Sequence, residues 1–274
     1  MRSVYTLVVI TTVSIAAGCS VTPDQEYQIG AGEAARVDSE MPLIRDSAIV
    51  GYIAKLGKSM ASKTSSANLD WHFSVVNSPE VNAFALPGGF VYVNRGAIEQ
   101  ADRMDELAGI MGHEIGHVVE HHSAKQIEQT ERNDLGILVL CTMTIACRTI
   151  GGIMAVRIGA DAKRAHYSQK DEAQADSEGV MNTMRAGIDP EGLPSFFQTL
   201  LEKRTTQPDI VEAFFSTHPT DQSRVAATRK QIAGLGITPA QHLLQDTPEF
   251  HSIQALVKAV PPPPPPAKSK SAPR

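Results

Sequence analysis

Three cysteines, one tryptophan and a 5% aromatic share are too few for a disulfide-stapled mini-fold or a surface of base-stacking rings. No dense run of lysine and arginine occurs either, and the net charge of −5 argues against a nucleic-acid partner. No internal repeat is visible, which sets aside solenoid and propeller architectures. With 274 residues and 42% hydrophobic content, the chain can bury a core of its own without metal or disulfide staples.

One long uncharged stretch is present at the start. Arg2 precedes SVYTLVVITTVSIAAGCS, the length of a secretory apolar region with a small-residue cleavage site. AAGC at 16–19 resembles a bacterial lipobox, so residues 1–18 are expected to be a signal peptide, Cys19 the lipidated residue and 19–25 a linker. Removing 1–18 leaves 24 basic and 30 acidic residues. In an oxidising compartment Cys141 and Cys147 then form an even pair, read either as a disulfide or as two buried thiols. Residues 135–159 are apolar, but Arg148 interrupts them and the uncharged run Leu135–Cys147 is shorter than the roughly 20 residues a bilayer requires. A buried or cleft-covering helical hairpin is expected there rather than a span.

Apolar residues at helical spacing predict two helices within 24–64, broken near Met41-Pro42. WHFSVV, VNAFAL and FVYVN are short β-prone runs, the last two joined by a tight turn at Pro87–Gly89. A long helix is predicted from about Asp102 to Asn133, with Asp102 and Asp105 as candidate caps. Further helices are expected over about 168–186, 190–204 and 220–233, with short ones after Thr238 and Thr247. The tail PPPPPPAKSKSAPR cannot pack a core.

The predicted long helix carries HEIGHVVEHH, residues 113–122, holding four of the chain's nine histidines. His113 and His117 lie one helical turn apart and can aim both imidazoles at one ion, with Glu114 beside them. That is a zinc-hydrolase arrangement: the metal lowers the pKa of a water to about 7, and the carboxylate takes its proton. His121 lies a further turn on, too far to close a tetrahedron, so His121 and His122 are read as exposed helix-end residues favoured by the negative helix terminus. A third ligand must come from elsewhere, and Glu172 and Asp176, four apart on a predicted helix, supply one ligand and one carboxylate to orient an imidazole.

VNAFALPGGFVYVNRG, HEIGH, Tyr167-Ser168 with Glu172 and Asp176, and STHPTDQSR follow one another in an order that resembles the gluzincin metallopeptidases. These include the CAAX prenyl proteases, the HtpX-like membrane proteases and their periplasmic lipoprotein relatives. The likeness runs from about residue 26 to 232 and implies a mainly helical α+β zincin-like metalloprotease domain, 26–235, followed by a short helical extension, 236–260, and a disordered tail, 261–274. It implies one Zn²⁺ per chain on His113, His117 and Glu172, Glu114 as general base, Asp176 behind the ligands and Arg224 near the cleft. Asn82 and His218 are implied to steady the oxyanion, and in some periplasmic relatives the histidine matching His218 occupies the open zinc position. NAFAL resembles the family's edge strand, on which an extended peptide pairs its backbone. Gln169 departs from the arginine usual after Tyr-Ser. Larger members add membrane helices or a tetratricopeptide repeat domain, where this chain offers 235–260 and a proline tail, which makes the repeat-bearing type less expected. The expected function is an endopeptidase acting on misfolded or exposed envelope proteins, in the periplasm and anchored to the outer membrane by lipid. The rivals are a zinc-bearing assembly factor that binds clients without cleaving them, and a membrane-embedded protease using 135–159 as a span.

Overall fold

A computed structural model describes residues 21–135 and 167–263. Cys19, Cys141, Cys147 and most of the apolar stretch 135–159 lie outside the described residues. Among the described residues no helix is long and apolar enough to cross a membrane.

Helices α1 (Pro23–Glu40) and α2 (Ser47–Ala61) flank the predicted break at Met41-Pro42. Each begins where a side chain replaces a missing backbone partner: Thr22 accepts from the Gln25 N–H in a capping box, and Asp46 accepts from Ala48 and Ile49. The α2 residues Ile49, Ile53, Leu56 and Met60 form the apolar stripe that joins the main core.

The sheet has β1 (Leu43–Ile44), β2 (His72–Val76), β3 (Ala83–Leu86) and β4 (Phe90–Asn94) in the order β1-β2-β4-β3. β4 runs parallel to β2 and antiparallel to β3, so β3 is an edge strand. Gly88 and Gly89, at φ 77° and 104°, make the hairpin turn that residues with a Cβ rarely adopt. The Asn94 N–H donates to the Asn82 carbonyl, which sets the alternation along the pair. Ala83 and Ala85 are therefore the residues whose backbone groups face the open edge.

Behind the sheet runs α4 (Met104–Val119), preceded by the short α3 (Arg95–Gln100), and every residue of α4 is buried. The expected continuous helix to Asn133 breaks at Glu120. His121 takes a left-handed φ of 54°, its Nδ1 lies 2.7 Å from Glu26 Oε2 on α1, and the chain restarts as α5 (His122–Leu135). The left-handed residue tips the new helix off the α4 axis.

Five more helices follow among the described residues: α6 (Gln169–Arg185), α7 (Gly192–Thr206), α8 (Pro208–Thr217), α9 (Gln222–Gly234) and α10 (Pro248–Ala259). α4 packs most extensively on α6. Glycine permits that approach: a Cβ on Gly116 would stand 2.8 Å from the Ala175 carbonyl oxygen, and one on Gly179 would stand 3.0 Å from the His113 nitrogen.

The expected Asp102 and Asp105 caps are not used. Arg103 occupies the N-cap position, and the first turn of α4 is instead held from the C-terminal segment. There Asp246 Oδ1 accepts from the Met104 N–H at 3.2 Å and the Gln245 carbonyl accepts from the Asp105 N–H at 2.9 Å. Phe250, Ile253 and Val257 of α10 enter the same core as α2 and α4.

Candidate active site

Five segments converge on one buried point. α4 carries His113, Glu114 and His117 one turn apart; α6 brings Glu172 and Asp176; the loop after α8 brings His218; α9 brings Arg224; the strand edge supplies Ala85. Local chemistry sets each in place. Ser168 caps α6 in a capping box with Asp171, which starts the helix one turn before Glu172. Asp221 caps α9 by accepting from Ser223 and Arg224, and Arg224 then ties the preceding loop by donating to the Pro219 carbonyl and to Thr220 Oγ1.

His113, His117, Glu172 and His218 have donor atoms all within 4.8 Å of one another, and all four are buried. His113 Nε2 is 3.0 Å from His117 Nε2, 3.2 Å from His218 Nδ1 and 3.6 Å from Glu172 Oε2. Glu172 Oε1 is 3.5 Å from His117 Nε2 and 3.0 Å from His218 Nδ1. Ligands about 2.0–2.2 Å from a tetrahedral zinc stand about 3.3 Å apart, so these spacings fit a Zn²⁺ among them. Nitrogen and carboxylate donors without thiolate also suit that ion.

Charges around the point are balanced. Arg224 Nε donates to Asp176 Oδ2 at 2.9 Å and its Nη2 to Oδ1 at 2.7 Å, while Nη1 lies 2.6 Å from Glu172 Oε2. The last contact is an ion pair without hydrogen-bond alignment, since Glu172 Oε2 has no hydrogen-bond partner. The guanidinium also lies over the Phe197 ring at 4.7 Å. Burial pulls Glu172 toward protonation, but the imidazoles of His218, His117 and His113 outweigh it and hold its carboxyl far below the usual range. Asp176 is held low in the same way: burial is outweighed by His113, whose Nδ1 is 2.9 Å from its Oδ1, and by Arg224.

Glu114 behaves in the opposite sense. Burial pushes its pKa up, and the partial positive character of His218 and His113 does not restore it. The Ala85 N–H of the strand edge donates to its carboxylate, and Oε1, without a hydrogen-bond partner, lies 3.4 Å from His218 Nε2. Burial lowers the His117 pKa well below that of free imidazole, so this ring is neutral and its lone pair is available. For His218 burial is outweighed by Glu114 and Glu172, which raise its pKa. Positive charge is favoured at that spot.

The structure thus brings His113, Glu114, His117, Glu172, Asp176, His218 and Arg224 together. Asn82 stands at the foot of β3, half-buried, with its Oδ1 lacking a hydrogen-bond partner. Gln169 is exposed at the start of α6.

Two side chains have a larger part than their sequence positions announced. Tyr167 is buried and stacks on His117, with ring centroids 3.8 Å apart. His122, expected as an exposed helix-end residue, is 1% exposed and its Nδ1 lies 2.9 Å from His117 Nδ1. The break at His121 turns it inward. Tyr167 was legible as part of the Tyr-Ser motif; His122 had no signal beyond being a histidine beside a ligand helix.

A mainly helical α+β zincin-like domain with a buried His/Glu group beside an open strand edge defines a metallopeptidase. The chain belongs to Peptidase family M48, a zinc-dependent family whose model matches residues 49–232. It is 30% identical to the beta-barrel assembly-enhancing protease of Escherichia coli O157:H7 over 224 residues, 78% of this chain and 45% of that protein. It is 28% identical to the mitochondrial metalloendopeptidase OMA1 of Schizosaccharomyces pombe over 174 residues, 64% of this chain and 50% of that protein. The bovine mitochondrial metalloendopeptidase OMA1 matches at 30% over 166 residues, 58% of this chain and 32% of that protein. The chain spans half or less of the length of these relatives.

Proposed function

We propose that this chain is a zinc-dependent endopeptidase of the bacterial cell envelope that cleaves misfolded or exposed polypeptides. The observation that carries the reading is the close grouping of four buried donors, all within 4.8 Å of one another, with Glu114 and the open edge of β3 beside them. Bound zinc would supply Lewis acidity and a lowered pKa for a water at the site.

The chain's own residues supply the rest. His113, His117 and Glu172 hold the ion, and Asp176 fixes the His113 ring by accepting its Nδ1 proton while Arg224 neutralises the pair of carboxylates. Ala83 with its N–H and carbonyl, and Ala85 with its carbonyl while its N–H is held by Glu114, face the edge that an extended substrate would pair with, which favours unfolded chain over folded protein. Glu114, buried and raised in pKa, takes a proton during attack on the peptide carbonyl and returns it to the leaving amine. His218 and Asn82 are assigned to the oxyanion. In the present arrangement His218 Nδ1 stands among the donors, a closed state that a substrate must open.

The envelope setting rests on the AAGC pattern at 16–19, which makes Cys19 the lipid-bearing residue of a periplasmic, outer-membrane-anchored protein, and on the name of the bacterial relatives. Proteins of β-barrel assembly, to which that name points, are the proposed substrate class here. The inward position of His218 favours a second reading, an assembly factor that binds clients with little cleavage. Digestion of an unfolded protein by the zinc-loaded full chain separates the two. Cleavage by the wild type that is lost in Glu114→Gln with zinc retained supports the protease, and a gain in His218→Ala would mean that opening the latch outweighs the loss of its oxyanion contact; full zinc with no cleavage in the wild type leaves the assembly factor.

A further inference from the structure

A histidine that binds a metal through one ring nitrogen presents its other N–H to an acceptor, and that acceptor decides how the ring is held. For His113 the acceptor is the Asp176 carboxylate. His117 has no such anion. Its Nδ1 faces another imidazole, that of His122, at 2.9 Å, and His122 is 1% exposed.

The direction of the hydrogen bonds is fixed from the outside inward. Gln174 Nε2 donates to Glu120 Oε2 at 3.2 Å, so its Oε1 is the atom turned toward His122 Nε2, at 3.5 Å. Asp171 Oδ1 lies 3.6 Å from the same nitrogen. With two oxygen acceptors beside it, His122 Nε2 carries the proton and its Nδ1 carries a lone pair. That lone pair accepts from His117 Nδ1–H, and His117 Nε2 is left with the lone pair aimed at His113 Nε2 and Glu172. The reverse assignment would point a lone pair at two oxygens at one end and a proton into the donor cluster at the other.

We propose that His122 is a positioning residue for the metal centre, an imidazole relay that locks the tautomer and the angle of the His117 ring. The inference rests on the zinc-peptidase reading of the same site. It also gives the α4–α5 break a purpose, because the turn at His121, held by Glu26, is what carries His122 back beneath His117. Tyr167 clamps the ring face, and His122 sets its rotation about that face.

The test uses the full chain with His122→Leu, His122→Asn and Gln174→Leu. Zinc affinity is read by chelator competition, the ligand field by the visible spectrum of the cobalt-substituted protein, and the fold by melting of the metal-free forms. His122→Leu is expected to bind zinc about 10- to 100-fold more weakly with an altered cobalt spectrum. His122→Asn, whose amide oxygen can stand near the lost Nδ1, is expected to recover most of both, and Gln174→Leu to lose less than His122→Leu. Equal zinc affinity and an unchanged cobalt spectrum in His122→Leu would overturn the relay, as would a His122→Asn protein as weak as His122→Leu. If His122→Leu fails to fold, the His122→Asn result decides. A wild type that retains no zinc would instead overturn the metallopeptidase reading beneath it.

Discussion

At the N-terminal end of α4, Asp105 and Glu106 are 0% and 3% exposed, and burial dominates: both carboxyls are pushed above their usual pKa, because Arg103 stands at the rim and cannot compensate. At the C-terminal end, Glu172 and Asp176 reach His113 and His117 from α6, are just as buried, and are held below their usual pKa by imidazoles and by Arg224, itself 13% exposed. The same helix therefore carries a structural end, where charge is tolerated, and a chemical end, where charge is organised. Burial alone does not decide the state of a carboxylate; the number and depth of the cations facing it do.

The largest expected effect lies at the chemical end. Glu114→Gln keeps the size of the side chain and removes the base, and should lower peptidase turnover by about 10²- to 10⁴-fold with zinc content unchanged; retained turnover would break the assignment. Next is Arg224→Leu, which strands two buried carboxylates and should cost about 3–5 kcal/mol in urea unfolding of the zinc-free chain. A loss no larger than that of an exposed pair would mean the organisation of charge is less important than stated. Gly116→Val forces α4 and α6 apart where the Ala175 carbonyl leaves no space and should cost about 1–3 kcal/mol, with weaker zinc binding as the companion readout.

The smallest effect sharpens the contrast through pH. Glu172 and Asp176 have depressed pKa values, so their contribution to stability is present above the unfolded values of 4.5 and 3.8 and is lost as pH falls through the folded ones. Asp105 has a raised pKa, so its contribution is present below 3.8 and is lost as pH rises through the folded value. Stability of Asp105→Asn relative to the wild type should therefore improve between pH 4 and pH 7, measured by urea melts of the metal-free chain. A difference independent of pH would contradict the raised state.

Much of this was legible without coordinates. Spacings of four put His113 with His117 and Glu172 with Asp176, and most of the helices and the hairpin at Pro87–Gly89 follow from local rules that hold here, whereas the helix Pro208–Thr217 was not expected and the edge strand entered through the resemblance. What spacing could not reach was non-local. The α4 break depends on Glu26, far along the chain, drawing His121 into a left-handed turn, and so the burial of His122 was invisible in an uninterrupted helical pattern. The α4 cap came from Asp246 rather than from the adjacent aspartates for the same reason. His218 and Arg224 entered through the STHPTDQSR motif and its resemblance, since nothing in their own spacing ties them to α4.

The most direct test of the account is zinc X-ray absorption on the zinc-loaded full chain beside its His113→Ala, Glu172→Gln and His218→Ala variants. The account predicts about one zinc per chain in a nitrogen and oxygen shell at about 2.0–2.2 Å, one imidazole fewer in His218→Ala, and zinc lost or greatly weakened in the other two. A wild type that retains no zinc, or a shell that none of the three substitutions alters, would contradict it.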